Sequence, residues 1–116
     1  MAENLKVKIP ETENADDGIV VIQLRTPLDY NGNLYHEIRM DLEGLTGKDG
    51  LDVENELMAR KKGPVIFGAM NSDYLLCIAA KACARANQPI GADAFQTMRL
   101  KDTEMIKQTV RNFLLR

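Results

Sequence analysis

Two segments near the start of the chain alternate between hydrophobic and polar residues with the period of two that is typical of β-strands. The positions on the hydrophobic side are Val20, Ile22 and Leu24 in the first segment and Leu34, His36, Ile38 and Met40 in the second. The dipeptide Asn31-Gly32 lies between the segments, and both of its residues tolerate the positive φ angles of a two-residue hairpin turn. Pro27 has no backbone N–H, so we expect regular pairing to end there. The pattern predicts an antiparallel β-hairpin over about residues 18–41.

A helical period replaces the alternation after Thr46. The predicted helices cover about residues 47–62, 72–86, 92–97 and 102–115. Thr46 and Ser72 are suitable N-cap residues for the first two helices, and Gly63-Pro64 ends the first. An isolated hairpin is only marginally stable in water, so we expect the helices to cover its hydrophobic face. The predicted fold class is therefore α+β, with an N-terminal hairpin packed on a small bundle of three to four helices.

The hydrophobic positions differ in number and arrangement from one predicted helix to the next. The helix over residues 72–86 is hydrophobic on nearly every side, so we expect it to be the central, buried helix, closed by Asn87. The stripes of the other two long helices are Leu51, Val53, Leu57 and Met58 in the first and Met105, Ile106, Thr109, Val110, Phe113 and Leu114 in the last. Residues 65–71 are hydrophobic without a period, and we expect this loop to pack inward.

The first residues of the chain differ in composition from the rest. Residues 1–17 are polar and acidic and include Pro10, so they predict a flexible N-terminal arm with at most a short strand at Leu5–Ile9. Residues 18–116 are predicted to form one domain, because a chain of this size can bury a core of its own. No stretch is hydrophobic enough to predict a membrane span or a secretory leader.

Charged residues are nearly balanced but unevenly distributed. The formal net charge of −2 predicts no general attraction to nucleic acid or to an anionic membrane. Acidic residues dominate residues 41–56, and the basic cluster Arg60-Lys61-Lys62 follows them. Two interpretations stay open: solvated helix faces matched to the helix dipoles, or head-to-tail complementarity between identical subunits. A small nucleic-acid-binding domain is a further alternative, supported only by the basic C-terminal helix.

Residue types that carry catalytic or metal chemistry are few and scattered. His36 is the only histidine, and its place in an alternating strand predicts a surface residue rather than a general base. Cys77 and Cys83 point to different sides of one helix, so they predict buried thiols that cannot bridge within it. The acidic residues of 49–56 predict a solvated helix face rather than a cation site. This elimination favours a binding or assembly protein without enzyme activity, metal or cofactor.

Four segments follow one another in an order that resembles a known family. They read "VIQLRTPLDYNG", "YHEIRM", "LTGKDGLDVENEL" and "RLKDTEMIKQTVRNFLL", and the resemblance covers about residues 19–116. The order is similar to that of the phage tail assembly chaperones of long-tailed phages and prophages. The matching positions are Leu24, Pro27, Asn31, Gly32, Tyr35, Ile38, Met40, Leu45, Thr46, Gly47, Asp49, Glu54, Asp102, Ile106, Val110, Phe113 and Leu114. Gly50 departs from the family pattern, in which a leucine directly follows the aspartate.

The resemblance implies a protein that binds the tape-measure protein and keeps it soluble while the tail tube polymerises. Such a chaperone acts in the cytoplasm of the bacterial host, is displaced as tail tube protein adds, and is absent from the mature virion. Homo-oligomers that pair or pack through the hairpin, and a longer frameshifted form, are further expectations. The alternative is another small phage morphogenesis protein, a head–tail connector or tail completion protein, which is retained in the virion.

Methionine side chains supply an adaptable contact surface, and the chain contains six of them. The candidate contacts with the tape-measure protein are Met58, Met70, Met98 and Met105 in the helical part and Tyr35, Ile38 and Met40 in the hairpin. The competing interpretation places the same methionines in the hydrophobic core.

Overall fold

The computed structural model describes residues 12–14 and 18–116 and has the predicted α+β fold, an antiparallel hairpin followed by four helices. The elements are β1 (Thr12–Asn14), β2 (Val20–Tyr30), β3 (Asn33–Met40), α1 (Gly47–Ala59), a 3₁₀ turn (Gly68–Met70), α2 (Ser72–Arg85), α3 (Ala92–Phe95) and α4 (Leu100–Leu115). β1 lies within the predicted arm and pairs antiparallel with β2, in the sheet order β1-β2-β3. The predicted strand Leu5–Ile9 lies outside the described residues.

The hairpin turn forms as predicted, but the pairing beyond it is irregular. Asn31 and Gly32 have φ angles of 52° and 82°, as the turn requires. β2 continues past Pro27 to Tyr30, so the proline interrupts regular pairing, as predicted, but does not end it. Instead, residues 24–27 of β2 lie opposite the single residue His36 of β3, because Gln23 pairs with Glu37 whereas Leu28 pairs with Tyr35. The proline is accommodated in this large bulge, where no ladder N–H is needed.

The bulge shifts the register by an odd number of residues and thereby changes which side of β3 faces inward. Successive side chains point to opposite faces of a strand, so an odd shift reverses the alternation. Ile38 and Met40 are fully buried as predicted, whereas Tyr35 rather than His36 packs against the core on the other side of the bulge. Leu34 is exposed, so its predicted place on the inward face was wrong.

A buried carboxylate from the last helix compensates for the missing strand partners. Asp102, in the first turn of α4, is 1% exposed. Its carboxylate accepts hydrogen bonds from the backbone N–H of Arg25 (3.1 Å to each oxygen) and of Thr26 (3.3 Å). Buried backbone donors need a partner, and here one side chain serves two of them while joining α4 to β2.

The outer edge of β3 is covered by the end of α2 and the loop that follows it. The side-chain amide of Gln88 accepts from Arg39 N (2.8 Å) and donates to Glu37 O (3.1 Å), as a neighbouring strand would. Beside it, Asp41 N donates to the carbonyl of Ala82 in α2 (3.0 Å). Over residues 37–41 this edge is therefore occupied from within the molecule and is not free to pair with another subunit. The role of the hairpin there is to cover the helical core.

α2 is the central helix, as predicted, and it contacts α1, α3, α4 and β3. Its buried residues are Leu75, Cys77, Ile78, Ala79, Ala82 and Cys83. Its N-cap is Asn71 rather than the predicted Ser72, because the Asn71 side chain accepts from Tyr74 N (2.9 Å). Asn87 closes the helix with a φ of 64°, and this left-handed residue directs Gln88 toward β3.

α1 begins as predicted but ends earlier. Thr46 and Asp49 form a capping box at its start, in which Asp49 accepts from Thr46 N (2.8 Å). The helix ends at Ala59 rather than at residue 62, because Lys61 has a φ of 60°. Lys61 N and Lys62 N then donate back into the last helical turn, in a Schellman motif. A lysine thus occupies the left-handed position at which glycine is commonest.

Replacing Lys61 with Gly is expected to raise the free energy of unfolding by about 0.5–1 kcal/mol, because glycine adopts positive φ without steric cost. Lys61 is exposed and has no ion pair among residues 18–116, so its side chain contributes little else. Urea denaturation measures the change. Lys62→Gly is the matched control, because Lys62 is not among the residues with positive φ, and it should not stabilise the protein. A gain of equal size in both variants would contradict the explanation.

Candidate partner-binding surface

The loop between α1 and α2 exposes large hydrophobic side chains. We call residues 65–70 the apolar loop. Ile66 is 87% exposed, Phe67 59% and Met70 62%, so the prediction that this segment packs inward was wrong. Only Ala69 is buried, with Val65 half-buried against the core. The physical reason is the short 3₁₀ turn over Gly68–Met70: it turns Ala69 inward, while Met70 and the preceding extended residue Phe67 stay exposed.

Contacts with α2 and α4 hold the apolar loop in this position. Arg111 of α4 donates from Nε to the carbonyl of Ala69 (2.8 Å). Gly68 lies against the ring of Tyr74 at the start of α2; a Cβ atom at this position would be 2.7 Å from Cε2 of the ring. Any side chain at residue 68 would push the ring away, so glycine is required for this close approach. The outward orientation of Phe67 and Met70 is therefore built into the fold.

An open hydrophobic groove lies on the other side of Tyr74. It has a volume of about 270 Å³ and is formed by the start of α1, the start of α2 and the end of α4. The hydrophobic residues that line this apolar groove are Leu45, Leu51, Tyr74, Ile78, Phe113 and Leu114, and Glu54 is its charged residue. The Tyr74 hydroxyl reaches as far as Gly50 of α1, so this one side chain connects the apolar loop with the groove.

The groove exists because α1 has hydrophobic residues on more than one face. Val53 and Leu57, one helical turn apart, are buried against α2. Leu51 points away from them at the rim of the groove and is 59% exposed, and Met58 is 54% exposed. The four residues therefore do not form the single stripe that their spacing suggested, and two of them stay available for contact with another molecule.

The sequence-predicted contact residues lie in three different environments. Met58 and Met70 are exposed, and neither lines the apolar groove. Met98, Met105 and Tyr35 are half-buried and pack against the core. Ile38 and Met40 are fully buried, so no surface of theirs is available to a partner in this fold. Sequence reasoning missed Ile66, Phe67, Leu51 and Leu114; the signal at residues 66–67 was a non-periodic hydrophobic run directly after Gly63-Pro64.

A second, more polar groove lies along the other half of α2. It has a volume of about 440 Å³, with Cys77, Ala80 and Ile90 among its lining residues and the charged side chains Glu56, Arg60, Lys81 and Asp93 around them. Burial is the main cause that raises the pKa of Cys77 above its ordinary value, and the nearby negative charge of Glu56 raises it further. This thiol is therefore protonated at neutral pH and is a poor nucleophile.

Burial raises the pKa of Cys83 to about 12. Above about pH 9 the unfolded chain loses a thiol proton that the folded chain keeps, so the free energy of unfolding falls as pH rises toward 12. At a pH about 1.5 units above the ordinary thiol pKa, we expect the free energy of unfolding of wild type to have fallen by about 2 kcal/mol more than that of Cys83→Ala. Urea denaturation under reducing conditions at neutral and alkaline pH measures the difference. Parallel pH profiles for the two proteins would rule out this thiol as the source.

Charged side chains near the grooves are mostly paired within their own helix. Lys48 pairs with Asp52 (2.8 Å) and Arg60 with Glu56 (2.6 Å), each over one helical turn. These pairs support the interpretation of α1 as a solvated charged face. Glu54, Lys61 and Lys62 differ: in the described part of the chain they form no ion pair, and they are exposed.

Comparisons of the chain with protein-family models, with curated proteins and with solved structures found no match. Within residues 12–14 and 18–116, no group of three or more His, Cys, Asp or Glu side chains is arranged to hold a metal ion. None of the helices in the described ranges has the length and hydrophobicity needed to span a bilayer. The apolar loop and the adjoining groove bring several large, exposed hydrophobic side chains together with an open hydrophobic groove.

Proposed function

We propose that this protein is a phage tail assembly chaperone that binds hydrophobic helical segments of the tape-measure protein in the cytoplasm of the bacterial host. The observation that carries the proposal is the exposed apolar loop beside the open apolar groove. An amphipathic helix presents hydrophobic residues three and four positions apart, and such residues can contact the groove and the exposed side chains of the apolar loop that adjoins it at Tyr74. The family resemblance of the sequence supplies the identity of the partner.

The size of the surface supports weak and repeated binding rather than one tight contact. The groove accommodates one or two side chains, not a whole helix. Burying two large hydrophobic side chains contributes roughly 3–6 kcal/mol, and association itself costs at least about 4 kcal/mol. One copy therefore binds weakly, so a long client needs many copies along its length, and each copy is easily displaced when tail tube protein arrives.

Co-expression with the tape-measure protein encoded beside it tests the proposal. We expect a soluble complex that contains many copies of this protein per tape-measure chain, measured by size exclusion with light scattering. The combined variant Phe67→Ser, Met70→Ser should reduce the soluble tape-measure protein at least about tenfold, since the two lost hydrophobic contacts weaken binding by about a hundredfold or more.

Leu100→Ser is the matched control for that variant. Leu100 is 73% exposed but lies at the opposite end of α4 from the groove, and it should have no effect. A tape-measure protein that stays insoluble, or an equal loss in the Leu100 variant, would contradict the proposal. Detection of the protein in purified virions would favour the alternative, a head–tail connector or tail completion protein.

A further inference from the structure

We infer that two copies of this chain associate face to face, each inserting its Ile66-Phe67 tip into the apolar groove of the other. The first argument is proximity. Gly68 lies against the ring of Tyr74, and Tyr74 also lines the groove, so this one side chain connects the loop that carries the tip with the groove. A protruding part and a complementary recess on one surface are what a two-fold symmetric interface requires.

The second argument is that the tip does not enter the groove of its own molecule. Neither Ile66 nor Phe67 is among the groove-lining residues, and both are more than half exposed. The hydrogen bond from Arg111 to Ala69 and the contact of Gly68 with Tyr74 fix the adjoining backbone. The two surfaces are each incomplete within one copy, and a second copy completes both at once.

Charge complementarity identifies the occupant as another copy of this chain. The apolar loop follows Lys61 and Lys62, whereas the groove contains Glu54, and in the described residues none of the three has an ion-pair partner. Lys61 follows Glu54 by seven residues. At 1.5 Å per residue this separates the two by roughly 10 Å along the helix, too far for a direct ion pair within one copy. In the face-to-face arrangement, the lysines beside each tip approach the Glu54 of the partner copy, so opposite charges meet on both sides of the interface.

The interface is small, so the dimer should be weak. It uses one tip and one groove from each copy, which places it below the area of standard stable interfaces, about 1,200 Å². We therefore expect reversible association between about 10 µM and about 1 mM, the range of such small contacts. The inference does not rest on the proposed function, because only copies of this chain take part, but both use the apolar loop and the apolar groove, so a second copy and a client helix compete for this surface.

Charge reversal tests the inference by sedimentation equilibrium of the whole chain. Wild type should dimerise. The single variant Glu54→Lys and the double variant Lys61→Glu, Lys62→Glu should each weaken association at least tenfold, because like charges then meet at both contacts of the dimer. An equimolar mixture of the two variants should associate as well as wild type, since opposite charges are restored at both contacts. Lys101→Glu, an exposed reversal at the far end of α4, is the control and should leave the dimer unchanged.

Three results would overturn the inference: wild type that stays monomeric at about 1 mM, reversal variants that associate like wild type, or a mixture that fails to recover. All three reversed positions are exposed, so each variant should unfold cooperatively in urea, with only the small loss that acidic side chains at the C-terminal end of α1 cause, and recovery on mixing independently shows that both are folded. Sedimentation of this protein alone tests the dimer, and solubility of the tape-measure protein tests the proposed function. Each proposal can therefore fail without deciding the other.

Discussion

Replacing Asp102 with Ala is expected to lower the free energy of unfolding by about 3 kcal/mol. The carboxylate is buried and accepts from Arg25 N and Thr26 N in the bulge of β2. Hydrogen bonds to a charged group contribute about 1.5–3 kcal/mol each, and each buried donor left without a partner adds its own desolvation cost. Because residues 24–27 have only His36 opposite them in β3, that strand offers no partner to replace the carboxylate.

Urea denaturation measures this loss, and amide hydrogen exchange shows its location. The amides of Arg25 and Thr26 should exchange faster in the variant relative to those of Ile22 and Ile38, which pair regularly. Asp102→Asn keeps one acceptor oxygen and should lose an intermediate amount. Lys101→Ala, the exposed neighbour on the same helix, should stay within about 0.5 kcal/mol of wild type. A loss below about 1 kcal/mol for Asp102→Ala would mean that water serves the two amides equally well.

Gln88→Ala should have the second largest effect, a loss of about 2 kcal/mol. Its side chain makes two hydrogen bonds to the backbone of β3, to Arg39 N and Glu37 O, and a typical one contributes about 1 kcal/mol. The residue is 8% exposed, so water does not readily replace the amide. Equilibrium unfolding gives the total, and exchange at Arg39 N separates the loss of this bond from a general destabilisation.

Gln96→Ala is the matched control for Gln88→Ala. Gln96 is exposed, its side chain has no hydrogen bond among the described residues, and only its backbone N–H is engaged, in the turn after α3. The substitution should leave stability within about 0.5 kcal/mol of wild type. If both variants lost the same amount, the cost would come from the glutamine-to-alanine change itself and not from the edge of β3.

Local patterns in the sequence were sufficient for the elements but not for the contacts that join them. Asn31-Gly32 predicted the turn and Thr46 the start of α1, because both act through bonds within a few residues. Pro27 correctly marked an irregularity in β2 but carried no information about its length or its effect on β3. The α+β class followed from the change of hydrophobic period, which is a local property.

What sequence reasoning missed depends on residues that are distant along the chain. Asp102 has the position of an ordinary first-turn acid, yet its hydrogen-bond partner Arg25 is 77 residues away. Gln88 likewise bonds a strand residue 49 positions earlier. Phe67 and Met70 are exposed while Ala69 is buried, because the hydrogen bond from Arg111 of α4 holds the backbone of Ala69 against that helix. None of these contacts has a periodic signal, so the candidate surface could not be predicted from the pattern alone.

The bond between the bulge of β2 and the first turn of α4 has a consequence for the order in which the protein forms during synthesis. The hairpin leaves the ribosome early, but the acceptor for Arg25 N and Thr26 N belongs to the last helix. Until α4 has been made, the nascent hairpin carries two backbone donors without a protein partner and a hydrophobic face that α4 does not yet cover, the features that favour aggregation of partly made chains. We therefore expect the sheet to complete its structure last although it is synthesised first, and truncated chains that lack α4 to be insoluble.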